Sequence, residues 1–138
     1  NSNYLKVSTL NYSNFNNDDL LLLQKINKNI VSLDLSNSNV SDSIFLRLSE
    51  FTNLTVLKLN NTKIKGQGIE KLSVLENLKR INLVNTEIDV AFLETLTKFK
   101  SLEKVYLFQE SRDFIVKDIF LNDKLGLFDF GYYKLEDL

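Results

Sequence analysis

The chain has 138 residues and a mass of 16.0 kDa, and 43% of its residues are hydrophobic, which suffices for one sizeable core but hardly two. It contains no His, Cys, Met, Trp or Pro, so imidazole general bases, thiolate nucleophiles, disulfides and the usual zinc, haem and iron-sulfur sites are ruled out. Seventeen Lys and Arg against eighteen Asp and Glu leave a net charge of -1, so composition argues against most enzyme classes and against nucleic acid as a partner. No cofactor and no metal are expected.

At the N-terminus, Asn1 to Thr9 carry no basic stretch followed by an apolar run. The longest unbroken apolar run, Leu20 to Leu23, falls far short of the roughly 20 residues a membrane span requires. Because residue 1 is Asn and Met is absent, the sequence is expected to be a mature segment or a domain of a longer protein. Over residues 1–29, Leu5, Leu10, Phe15, Leu20, Leu23 and Ile26 outline a degenerate cap coil. This coil has one residue more before Ile30 than its successors have before theirs, and Ser8 stands where an apolar residue is due.

Residues 30–101 are three copies of a 24-residue unit, whose openings read IVSLDLSNSNV, LTVLKLNNTKI and LKRINLVNTEI. Seven positions are apolar in every copy: those of Leu54, Leu57, Leu59, Ile64, Ile69, Leu72 and Leu75 in the second. With 43% of residues apolar, chance agreement at all of them is on the order of 10⁻⁸ before correction for the choice of frame, so the repeat is real. Within each unit the period changes from two at Leu57 and Leu59 to three at Ile69, Leu72 and Leu75, which predicts a short strand followed by a helix. Asp42 and Asp89 are expected to cap the first and third helices, while Gly66 and Gly68 supply a bend in the second unit. Asn37, Asn61 and Asn85 recur after the strands, and a structural role is favoured for them over a place on a binding rim. No unit can cover its own apolar face, so the units are predicted to stack into a continuous core with a parallel sheet.

From residue 102 onward the pattern loosens. LEKVYLF begins another strand, but Glu110 and Arg112 fall where Thr and Ile are due. A helix is predicted over residues 113–121 through Phe114, Ile115, Ile119 and Phe120, then a last strand in LGLFDFGYY and a polar end from Lys134.

The pattern LxxLxLxN(S/T)xI at 24 residues resembles the leucine-rich repeat family over about residues 5 to 109. Ser38, Thr62 and Thr86 stand where that family often has Asn, which, with SNVSDSIF, is similar to a bacterial variant of the repeat. The resemblance implies a single α/β domain: a right-handed solenoid, or horseshoe, with a parallel β-sheet on its concave face and short helices on its convex face. Such modules bind proteins or peptides without catalysis. A looser resemblance, in VYLFQ and DFGYY, is to C-terminal leucine-rich modules that follow membrane and cytochrome-c-like domains in bacterial proteins. It implies the alternative of an appended structural domain, extracytoplasmic or membrane-attached through its parent chain, with any redox chemistry elsewhere.

Alternation along the strands places Val7, Thr9 and Asn11, then Ser32, Asp34 and Ser36, then Val56, Lys58 and Asn60 on the open face. Arg80, Asn82 and Val84 follow, then Lys104, Tyr106 and Phe108. Aromatic residues beside basic ones suit a binding hot spot, so a partner is expected to anchor at Arg80, Lys104, Tyr106 and Phe108, with Lys58, Asn82 and Val84 around them. The competing reading, in which the C-terminal segment folds over this end of the sheet, stays open. Arg80 and Lys104 share an offset in adjacent strands, so their mutual repulsion needs relief from solvent, a partner's anion, or Glu136 or Asp137.

Overall fold

Six short strands form one all-parallel sheet in the computed structural model, which describes residues 3–108 and 125–129. They are β1 (Leu5–Ser8), β2 (Ile30–Asp34), β3 (Val56–Lys58), β4 (Arg80–Asn82), β5 (Lys104–Tyr106) and β6 (Phe128–Asp129). Their order in the sheet is their order in the chain, and the sheet is not closed into a barrel. From β2 to β5 every register partner lies 24 residues on, as in the series Leu33, Leu57, Ile81 and Val105. Short helical segments connect the strands: α1 (Ile44–Leu48), α2 (Val90–Leu96), and 3-10 turns at Asn17–Asn29, Ile69–Val74 and Leu125–Leu127. The fold is therefore mixed α/β with a repeating strand-helix unit. The predicted helix at 113–121 and the polar end from Lys134 lie outside the described residues. β6 is the described part of the predicted last strand.

All seven apolar positions are buried in all three units, none more than 4% exposed. Burying each such side chain is worth about 1.5–3 kcal/mol, and the columns they form run without interruption from unit to unit. The spacing of three at Ile69, Leu72 and Leu75 is met by a 3-10 helix, whose three-residue turn puts all of them on one side without α-helical drift.

The recurring polar residues are structural. Asn37, Asn61 and Asn85 adopt left-handed backbone conformations (φ 60°, 56° and 52°), which Asn tolerates better than most non-glycine residues. Their amides donate across to the carbonyls of Asn60, Val84 and Phe108, continuing the parallel ladder past the end of each strand. The buried hydroxyls of Ser38, Thr62 and Thr86 donate back to the carbonyls of Leu35, Leu59 and Leu83, at 2.6, 2.5 and 2.8 Å. Thr62→Val keeps the volume and removes that donor, so it is expected to lower stability by about 1–2 kcal/mol in urea unfolding. An unchanged midpoint would show that the bond contributes nothing.

Asp89 caps α2 by accepting the Ala91 amide at 3.0 Å, as predicted, but Asp42 does not cap α1. Its carboxylate instead crosses to the next unit and accepts the amides of Lys65, Gly66 and Gln67 at 2.8–3.0 Å. In stacked units the nearest unpaired amides belong to the neighbouring turn. Asn17 acts similarly one unit earlier, accepting from the Ser41 amide at 2.9 Å. On the opposite corner Asn53 and Asn77 donate back to the carbonyls of Lys28 and Thr52, and the Ser101 hydroxyl donates to that of Glu76.

The N-terminal unit departs from the expected register. Leu5 pairs with Ile30, but Lys6 pairs with Ser32, so Val31 is passed over in a bulge. A one-residue slip exchanges the two faces of a strand. Val7, expected on the open face, therefore aligns with Leu33 and packs against the core, and Thr9 turns inward with its hydroxyl buried. Ser8 is not the substitute for an apolar residue; it aligns with Asp34 on the open side. Leu10, expected inside, is 84% exposed, and Leu5 and Ile26 are exposed as well. Leu20 is buried and Phe15 and Leu23 are partly buried, as expected. The 3-10 turns after Phe15 start in a capping box that the sequence reading missed, formed by Asn16 and Asp19.

Candidate functional site

The strand registers arrange the open face in rows that cross the sheet, with neighbours in a row about 4.8 Å apart at the backbone. One row runs Lys6, Ser32, Val56, Arg80 and Lys104. The next runs Ser8, Asp34, Lys58, Asn82, Tyr106 and Asp129. Beyond the strand ends the same 24-residue offset brings Ser36, Asn60, Val84 and Phe108 into a third row.

A shallow concavity of about 280 Å³ opens where the first two rows meet, lined by Val56, Lys58, Arg80, Asn82 and Tyr106. Four of these are predicted site residues. Val56 was placed on this face by alternation but not counted in the site. Lys58 and Arg80 are exposed, and among the described residues neither side chain makes an ion pair or a hydrogen bond. Asp34 is beside Lys58 in register but forms no ion pair with it among the described residues; its Oδ1 accepts the Ser36 amide at 3.0 Å and also the Ser36 hydroxyl. The Asn82 Oδ1 accepts the Val84 amide at 3.0 Å, which fixes its side chain and leaves the amide NH₂ as a donor. Tyr106 is half-buried and forms the wall on β5.

The remaining predicted residues stand outside this concavity. Val84 and Phe108, both half-buried, occupy the third row. Lys104 belongs by register beside Arg80, but its Nζ donates to the Gly126 carbonyl at 3.0 Å. That bond fixes the ammonium at the 125–129 segment, a partner that no local pattern indicates, and leaves its positive charge in place beside Arg80. Glu136 and Asp137 lie outside the described residues.

Two concavities on the helical side offer less chemistry. One, lined by Asp42, Lys65, Gln67, Glu87, Asp89 and Phe92, holds acids already committed to backbone amides at Asp42 and Asp89. The other, near Leu20, Leu46 and Phe51, contains Arg47, which is bound to the Asn17 carbonyl at 3.2 Å and lies 3.9 Å from Asp18. No group of three acidic side chains among the described residues is placed to hold a metal ion, and no described helix is long and apolar enough to cross a membrane. What the sheet-face concavity can do is neutralise and hydrogen-bond an anionic group beside an aromatic wall. No protein-family model matches this sequence, and no curated protein matches it either.

Proposed function

We propose that this chain is a short leucine-rich-repeat solenoid of about five coils that acts as a non-catalytic binding module, taking a protein or peptide on the open face of its sheet. Strands in chain order, register steps of 24 residues and columns of buried Leu, Ile, Val and Phe support the repeat reading. The binding role rests on one observation: Lys58 and Arg80, without partners among the described residues, flank a concavity walled by Tyr106. Arg and Tyr are the side chains that most often dominate binding energy, since they bury large area at small entropic cost and still hydrogen-bond. The repeat scaffold itself is compatible with many roles, so the functional reading rests on the site.

Selection from a random peptide library displayed on phage tests the proposal. Tyr106→Ala and Lys58→Gln are each expected to weaken the recovered peptides about tenfold or more, whereas Leu46→Ser, an exposed change on the helical side, leaves them unaffected. Lys58→Gln alters only a solvent-facing side chain, so it reports on binding even if loss of the Tyr106 ring disturbs packing. Peptides that bind Tyr106→Ala and Lys58→Gln as tightly as the parent chain would place the binding surface elsewhere.

A further inference from the structure

We infer that the open-face concavity is a phosphate-ester site, which takes a phosphorylated side chain of a bound protein segment over β4, between Lys58, Arg80, Asn82 and Tyr106. This rests on the binding role proposed above and names the chemical group recognised there.

The lining sets the direction of its polar contacts. Lys58 stands on β3, Arg80 and Asn82 on β4 and Tyr106 on β5. Lys58, Asn82 and Tyr106 share a row, and Arg80 lies one row away. Lys58 and Arg80 can only donate, and the Asn82 Oδ1 is taken by the Val84 amide, so that side chain offers its NH₂. The Tyr106 hydroxyl makes no hydrogen bond among the described residues. Four side chains thus bring donors to one opening, and no carboxylate among the described residues lines it. Its complement is an anion built of acceptor oxygens.

Charge and oxygen count choose among anions. Strand spacing sets Lys58 and Tyr106 about 9.6 Å apart at the backbone, with Arg80 about 6.6 Å along β4 from the Asn82 between them. A phosphate ester carries about -1.5 to -2 charge at neutral pH and presents three terminal oxygens in different directions. Lys58, the Arg80 fork and the neutral donors can each take one of them. A carboxylate has two oxygens in one plane and a single charge, which leaves one of the two cations unmatched. Lys104 adds to the preference: its ammonium, fixed at the Gly126 carbonyl, keeps its charge and stands beside Arg80 in register. The row Lys6, Ser32, Val56, Arg80 and Lys104 contains no acid. Asp34 and Asp129 belong to the other row, two strands from Asn82 on either side, and neither lines the concavity.

The phosphate is carried by a protein segment. A small ligand needs most of its surface buried, and this concavity is open on a sheet face. A segment lying on the face supplies the missing area through residues flanking the phosphate, against Val56 and the Tyr106 ring. A nucleic acid backbone spreads single charges along its length, whereas Lys58 and Arg80 gather two at one point.

The experiment probes the whole chain on a synthetic peptide array that fixes a central phosphoserine, Ser or Glu and varies the flanks. The best sequences are remade in all three forms for calorimetric titration. Phosphoserine is expected to bind about tenfold more tightly than Ser or Glu in the same flanks. In the double variant Lys58→Gln with Arg80→Gln, both solvent-facing changes, the three forms should bind alike. Inorganic phosphate and duplex DNA should each compete less well than the phosphopeptide. If display-selected peptides depend on Tyr106 but phosphoserine gains nothing over Ser, or no more than Glu does, the phosphate inference is overturned and the binding face stands. A phosphoserine advantage that survives the double variant, or tighter competition by inorganic phosphate or DNA, overturns it as well. If neither display-selected peptides nor phosphopeptides bind in a way that depends on Tyr106 and Lys58, the binding role itself is removed.

Discussion

Phe45→Ala is expected to destabilise the protein by about 3–5 kcal/mol, a large share of the roughly 5–15 kcal/mol that holds an ordinary domain together. Phe45 is completely buried and heads the column continued by Ile69 and Leu93. Its ring also faces the next unit, where a Cβ placed on Gly68 would lie 3.9 Å from it. Truncation therefore empties space on both sides of a unit boundary, and neither backbone can collapse into it without disturbing a sheet register. The thermal transition should fall by on the order of 10 °C. Leu46→Ala, one residue along and 62% exposed, should change stability by no more than about 0.5 kcal/mol. Equal shifts in urea midpoint for the two variants would contradict the assignment of Phe45 to the core.

Gly66→Ala should be nearly as damaging, although it adds a single methyl group. Gly66 has φ 110°, outside the range that residues with a Cβ adopt without strain. A Cβ there would come within 2.5 Å of Ile88 Cδ1 and 2.8 Å of Phe92 Cδ2, so the next unit would have to move away. Backbone strain of about 1–3 kcal/mol and overpacking of about 1–3 kcal/mol act together. Gly68 provides the comparison, because it also has positive φ (88°) but its added Cβ would meet only Lys71 Nζ at 3.4 Å and Phe45 at 3.9 Å. Gly68→Ala should show the backbone part alone, about 1–2 kcal/mol. If the two glycine variants unfold at the same urea concentration, the contact with Ile88 and Phe92 is not limiting.

The core was legible because its signal is redundant: each buried column is specified separately by every unit. Asn37, Asn61 and Asn85 could be recognised as recurrent, but the left-handed turn they make is a property of the backbone that a residue name only hints at. Asp42 was misread because capping rules look a few residues ahead, whereas its partners lie one unit away in sequence and adjacent in space. Val7, Thr9 and Leu10 were misplaced because nothing in LKVSTL announces that Val31 will be skipped. Among the site residues, alternation put Lys58, Arg80, Asn82 and Tyr106 on one face. It could not show that the Lys104 ammonium would turn to Gly126, since that contact depends on a segment arriving from further along the chain.

The reach of Asp42 also bears on how the chain comes apart. Its carboxylate, like the Asn53 and Asn77 amides, spans one unit boundary and no more. With only nearest-neighbour ties, cooperativity is passed along the stack link by link, so an interior unit opens only when both of its boundaries fail together. Among the described strands the sheet ends at β1 and at the two-residue β6, each paired on one side, so opening is expected to start from these ends, the bulged β1 boundary among them. The concavity spans β3, β4 and β5, so a partner would meet a surface whose shape outlasts the loss of the first unit but whose Tyr106 wall leans on the short β6 at the other end.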